Sequence, residues 1–133
     1  MSLINYVTRV QFGYGEIARL KEELALAGIT RPVIVTDKGV RALGMLERIE
    51  AATGVTPVAV FDETPGNPTE ASAVKATALF READGDGVIA IGGGSALDLA
   101  KAVAVMAAHE GPLKTYAVIE GGLAKITPRT FPT

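Results

Sequence analysis

Short β-branched runs alternate with longer amphipathic stretches along most of this chain, and that alternation leaves few folds open. PVIVTD (32–37), PVAVF (57–61) and GVIAI (87–91) read as buried strands. An earlier segment, VTRVQF (7–12), reads as a half-buried strand, because Thr8, Arg9 and Gln11 sit among its apolar residues. The intervening stretches carry helical spacing. In GEIARLKEELALAG (15–28), Ile17, Leu20, Leu24 and Ala27 share one face and Gly28 suits a C-terminal cap. VRALGMLERIEAATG (40–54) is a second helix with Gly54 after it, and EASAVKATALFREAD is a third, entered at Pro68 or Thr69 from the turn-rich loop DETPGNPTE (62–70). SALDLAKAVAVMAAHEG (95–111) is the fourth. Strands separated by helices of this length pair in parallel, with the crossover helices covering both sheet faces. The predicted architecture is an open, mostly parallel α/β sheet three layers deep. The tail LKTYAVIEGGLAKITPRTFPT holds a possible strand (116–119), a Gly-Gly turn and a Pro-rich end, but no closing helix.

A length of 133 residues suffices for one domain with a proper core and is short for two. Thirteen basic residues against fifteen acidic ones, with no basic cluster and no aromatic platform, give no reason to expect nucleic acid. With no cysteine there is no disulfide, thiolate metal site or cysteine nucleophile. No apolar run approaches the roughly 20 residues needed to span a bilayer, so no membrane partner is expected. MSLINYVTRV lacks the basic start and long apolar core of a secretory leader, and a cytoplasmic location is the expectation.

Two glycine-rich segments could hold a phosphate. GYGEIA (13–18) matches the G-x-G-x-x-G/A fingerprint in form, opens a helix, and has Asp37 about 20 residues later at the end of the next strand. Against it, Arg9 and Gln11 are out of place in a central strand buried on both faces; the alternative is a glycine-rich turn into the first helix. GGGSALD (92–98) has the better context, because GVIAI is the most buried-looking strand and its end lies where ligands of open α/β sheets collect. Bare backbone at Gly92, Gly93 and Gly94 would let a pyrophosphate approach the free N–H groups of the next helix. Ser95 and Asp98 also form an S-x-x-D capping-box pattern, which would satisfy those donors without a ligand. Capping does not explain three glycines, so phosphate binding is the favoured reading.

GGGSALDLAK resembles the GGGS-x-x-D-x-x-K motif of the iron-containing (group III) alcohol dehydrogenases. FGYGEIARL (12–20) is similar to that family's early F-G-x-G segment, VTDKGV (35–40) to its second strand and loop, and GNPT (66–69) to its Asn-Pro loop. The closing IEGGLAKIT is similar to the 4-hydroxybutyrate dehydrogenase-like branch. The resemblance covers the chain in order and implies a Rossmann-like domain. Residues 1–133 would form the N-terminal dinucleotide-binding domain, incomplete at its C-terminal end and without the helical metal-binding domain. It implies NAD as cofactor, with Gly93, Gly94 and Ser95 at the pyrophosphate beside the bare backbone of Gly92. Asp37 would lie at the adenosine ribose, Asn67 near the adenosine end, and Asp98 lining the cleft or bracing the loop.

A carboxylate at position 37 accepts from a 2′-hydroxyl and repels a 2′-phosphate, favouring NAD over NADP; a helix or turn cap ahead of Lys38-Gly39 is the alternative role. Lys101 is expected to pair with Asp98. The family's metal is bound by one aspartate and three histidines, and the only histidine here, His109, suits a cation at a helix C-terminus. Iron is therefore expected only in a full-length enzyme, as are an alcohol or aldehyde substrate and a homo-oligomer, and this chain alone is expected to be inactive. A polyol dehydrogenase or dehydroquinate synthase-like enzyme of the same plan, or a non-catalytic nucleotide-binding module, stays open as an alternative.

Overall fold

The structure is a computed structural model describing residues 10–133. Three parallel strands form its sheet: β1 (Pro32–Val35), β2 (Ala59–Phe61) and β3 (Gly87–Ala90). Their spatial order is β2-β1-β3, with Ile34 opposite Val60 on one side and Ile89 on the other. The helices are α1 (Leu20–Ala27), α2 (Lys38–Ala42), α3 (Met45–Thr53), α4 (Glu70–Glu82) and α5 (Gly94–Ala108).

Strand alternation sorts the core into two halves. Val33, Val35 and Val88 point to one face, where they meet Ala73, Ala76 and Phe80 of α4 and Leu99, Ala100 and Val103 of α5. Ile34 and Ile89 point to the other, against Leu24 of α1 and Leu46 and Ile49 of α3. Each of these larger side chains contributes about 1.5–3 kcal/mol on burial, and both faces of the sheet are covered. The three-layer parallel architecture read from the sequence is the one observed.

Element boundaries differ in ways the local chemistry explains. The expected helix 15–28 begins as a 3-10 turn (Glu16–Arg19) and becomes α1, ending at Gly28 with φ 71°. The expected helix 40–54 is two helices, because Gly44 takes a left-handed conformation (φ 72°) and restarts the chain at Met45. Thr69 caps α4 through a reciprocal pair with Ser72: Ser72 N–H donates to Thr69 Oγ1 at 3.1 Å, and Ser72 Oγ accepts from Thr69 N–H at 2.9 Å. Of the expected strand 7–12, residues 7–9 lie outside the described residues and residues 10–12 are not in a strand. The expected strand at 116–119 instead joins two 3-10 turns (Leu113–Tyr116 and Val118–Glu120), and a third follows at Gly122–Lys125. The tail then returns to the sheet: Phe131 packs on Phe80 with ring centroids 4.9 Å apart, and Val88 N–H donates to the Pro132 carbonyl.

His109 is the C-cap of α5, with Nδ1 2.7 Å from the Val105 carbonyl and Nε2 3.0 Å from both Thr127 N and Thr127 Oγ1. The ring ties the tail to the end of α5.

At the amino edge of the sheet, one carboxylate ties β1 to β3. Asp86 accepts from Thr30 N–H, Thr30 Oγ1 (2.6 Å) and Arg31 N–H (2.7 Å). Burial alone would raise the Asp86 carboxyl. The hydrogen bonds from Thr30 and Arg31, with the nearby Arg31 guanidinium, outweigh it and hold the carboxyl below its usual range.

Candidate functional site

All three strands end on the same side, and the loops leaving them converge. Because β1 and β2 adjoin while the next strand, β3, lies on the other flank of β1, the connections diverge between β1 and β3. Open α/β sheets bind ligands at such a switch point. The loop after β1 delivers Asp37 there, and the loop after β3 delivers the three glycines.

Asp37 is half-buried and serves as the N-cap of α2, its Oδ1 accepting from Val40 N–H at 2.9 Å. Its second oxygen faces Gly92: a β-carbon on residue 92 would stand 3.6 Å from Asp37 Oδ2 and 3.2 Å from the Ala96 methyl. The cap role expected for Asp37 falls on Oδ1 alone, leaving Oδ2 outside the cap.

The glycines divide by cause. Gly92 has φ 142°, a conformation L side chains rarely adopt, so the backbone itself requires glycine. Gly93 is extended (φ −82°, ψ −169°) and Gly94 is the first residue of α5; a β-carbon on either would meet nothing within 4 Å. Neither conformation nor neighbours require glycine at 93 and 94. What they leave is open space above the first turn of a 15-residue helix, whose leading N–H groups have no intrahelical partner.

The capping box expected from Ser95 and Asp98 does not form. Gly93 is the N-cap and makes no side-chain cap bond, which sets Ser95 inside the helix. Ser95 Oγ instead donates to the Gly66 carbonyl at 2.6 Å, across to the Asn-Pro loop. That loop is held again at Thr64, whose hydroxyl donates to the Thr36 carbonyl at 2.6 Å, and at Asp62, which pairs with Arg41 of α2 at 2.6 Å. Asn67, next to the Gly66 anchor, is exposed, and its side chain makes no hydrogen bond among the described residues. Asp37, Gly92, Gly93, Gly94, Ser95 and the Asn67 loop are therefore brought together. Asp98 is set apart: it lies one turn further along α5, exposed, with Lys101 Nζ 3.5 Å away. Thr64 and Gly66, which anchor the loop, were not singled out in the sequence, where nothing distinguishes them from ordinary turn residues.

GYGEIA lacks both contexts that would give its spacing meaning. The described residues before it, 10–12, are not in a strand, and Gly15 (φ 80°) opens a 3-10 turn rather than an α-helix. Among the described residues no group of three or more His, Cys, Asp or Glu side chains is placed to hold a metal ion. No helix there is long and apolar enough to cross a membrane.

A parallel α/β sheet with a glycine loop and a strand-end carboxylate meeting at its switch point is a Rossmann-like arrangement. The family model of the iron-containing alcohol dehydrogenases matches residues 7–132, and the chain belongs to that family. It is 53% identical, over 133 residues, to 4-hydroxybutyrate dehydrogenase of Cupriavidus necator, covering 99% of this chain and 35% of that protein. It is 35% identical over 114 residues to 1,3-propanediol dehydrogenase of Klebsiella pneumoniae, covering 82% and 29%. The NADH-dependent butanol dehydrogenase A of Thermotoga maritima superposes with a TM-score of 0.78 at 25% identity, over 90% of this chain and 31% of that one. Sulfoacetaldehyde reductase from Bifidobacterium kashiwanohense, solved with NAD+, superposes with a TM-score of 0.75 at 26% identity, over 87% and 31%. The chain thus spans about a third of the length of these relatives.

Proposed function

We propose that this chain is the NAD-binding portion of an iron-dependent alcohol dehydrogenase that moves hydride between an alcohol or aldehyde and the nicotinamide. The observation carrying the proposal is the free oxygen of Asp37 facing Gly92, beside open backbone at Gly93 and Gly94. The residues present fit the group: space without side chains for a pyrophosphate, helix-end donors for its charge, and a half-buried carboxylate for a diol.

In this reading the N–H groups of Gly94 and Ser95 donate to the pyrophosphate, supported by the partial positive charge of the α5 N-terminus. Asp37 Oδ2 accepts from a ribose hydroxyl while Oδ1 stays on Val40, so the carboxylate cannot turn away without uncapping α2. Asn67 presents its amide to the adenosine end. Bound NAD supplies the hydride chemistry, and iron held outside the residues described here supplies polarisation of the substrate oxygen. Asp98, exposed and paired with Lys101, has the weaker claim to a cofactor contact. A homo-oligomer is part of the same reading, supported by exposed apolar residues such as Phe12, Tyr14, Val118, Ile119 and Leu123.

The test is an NADH fluorescence titration of the chain with Gly94→Val as control. A β-carbon at 94 has room, so the variant keeps its circular dichroism while binding is lost. A folded wild-type chain that leaves NADH fluorescence unchanged across the millimolar range would refute the proposal.

A further inference from the structure

The motif serine of a glycine-rich loop is ordinarily assigned to the phosphate, and here its hydroxyl is committed elsewhere. A serine hydroxyl has one proton to give. In Ser95 that proton goes to the Gly66 carbonyl at 2.6 Å, a short bond joining residues 29 apart in sequence. The acceptor lies immediately before Asn67, in a loop whose other anchors include Thr64 on Thr36, Asp62 on Arg41, Glu63 on Lys75 and the Thr69–Ser72 cap. Among the described residues, the Ser95 bond is the one hydrogen bond that reaches from the glycine-loop helix to this loop between the Thr64 and Thr69 anchors.

We infer that the Ser95 side chain is a positioning residue for the adenosine end, acting through the Gly66–Asn67 peptide, and that only its backbone N–H serves the pyrophosphate. This rests on the nucleotide-binding reading above. It assigns the two halves of one residue to two ends of the ligand. It also couples them: drawing the first turn of α5 toward an anion draws Gly66 with it, and so sets where Asn67 stands.

Ser95→Ala removes the hydroxyl and leaves the N–H. The probes are AMP and inorganic pyrophosphate, measured by calorimetry on the wild type, Ser95→Ala, Ser95→Thr, Asn67→Ala and the Ser95→Ala/Asn67→Ala double variant. Loss of one such hydrogen bond corresponds to about a 2- to 10-fold weakening. That loss is expected for AMP, with pyrophosphate affinity unchanged, with recovery in Ser95→Thr, and with no additional loss in the double variant over Asn67→Ala alone. Backbone order parameters at the Gly66 and Asn67 amides should fall in Ser95→Ala and not in Ser95→Thr, a readout independent of any nucleotide. Equal weakening of AMP and pyrophosphate, additive losses in the double variant, or unchanged order parameters at Gly66 and Asn67 would each overturn the inference. If the folded wild type binds neither probe, the nucleotide reading itself has failed, and this inference with it.

Discussion

Asp37 and Gly92 face each other across the gap between two neighbouring strand ends, with a carboxylate oxygen 3.6 Å from where a β-carbon of residue 92 would lie. One of the pair is charged and fixed by its bond to Val40; the other is kept bare by its own backbone angle. Substitutions on the two sides should therefore fail differently.

Among the glycines, Gly92→Ala forces a side chain into φ 142° beside Ala96 and is expected to cost about 1–3 kcal/mol of stability. Gly93→Ala and Gly94→Ala meet open space, and Gly94→Ala joins a helix, where alanine is favoured by up to about 1 kcal/mol. Thermal melts should rank Gly92→Ala lowest, with the other two at or above wild type, while NADH titrations weaken in all three. Loss of stability in Gly94→Ala would contradict the reading of that position as ligand space.

Asp37→Asn separates charge from capping, because asparagine caps helices as well as aspartate does. Stability is expected to change by less than about 0.5 kcal/mol. NADH affinity should fall and NADPH affinity rise, since the repulsion against a 2′-phosphate is gone. The ratio of the two dissociation constants is the measurement, and an unchanged ratio would remove Asp37 from the ribose.

At the opposite edge, Asp86→Asn is expected to destabilise the chain by about 1.5–3 kcal/mol near neutral pH, the usual range for hydrogen bonds to a charged group. The pH dependence has a definite sign. With the folded carboxyl held below its unfolded value of 3.8, its contribution is fully present above that value and is lost as the pH falls through the lower folded one. The gap in melting temperature between wild type and Asp86→Asn should be constant from pH 5 to 8 and close below about pH 4. A gap persisting at pH 2 would mean the charge is not what matters.

Thr36 is fully buried, and its hydroxyl has no hydrogen-bond partner among the described residues. Its backbone does the binding, taking part in bonds to Phe61 and Thr64. Thr36→Val keeps the shape and removes the orphaned oxygen, so chemical denaturation should show a gain of about 1 kcal/mol. A loss of that size would mean the hydroxyl is satisfied in solution.

The architecture was legible because period-two and helical spacings are local signals, and the family resemblance rested on contiguous motifs such as GGGSALDLAK. The boundaries were less so. Gly44 looks like any helix glycine until its left-handed φ splits one expected helix into α2 and α3. The S-x-x-D pattern at 95–98 was misleading for a geometric reason: α5 begins two residues earlier than the pattern requires, with its N-cap at Gly93 rather than Ser95. The contact between His109 and Thr127 was hidden because Thr127 lies 18 residues away in an irregular tail with no periodicity to read. The same limit hid the loop anchors Thr64 and Gly66, whose partners are fixed by the strand order and not by spacing.

Those anchors also bear on how the domain comes into being during synthesis. Thr64 reaches back 28 residues to Thr36, and Ser95 reaches back 29 to Gly66. A nascent chain released as far as residue 69 already carries Asp37 and Asn67, yet of these two ties only the one from Thr64 to Thr36 can form. The second tie waits for α5, and α5 in turn shields Val33 and Val35 by packing on the sheet. Nucleotide binding should therefore switch on late and abruptly as the chain lengthens past α5, making NADH a reporter of a sheet that has finished closing.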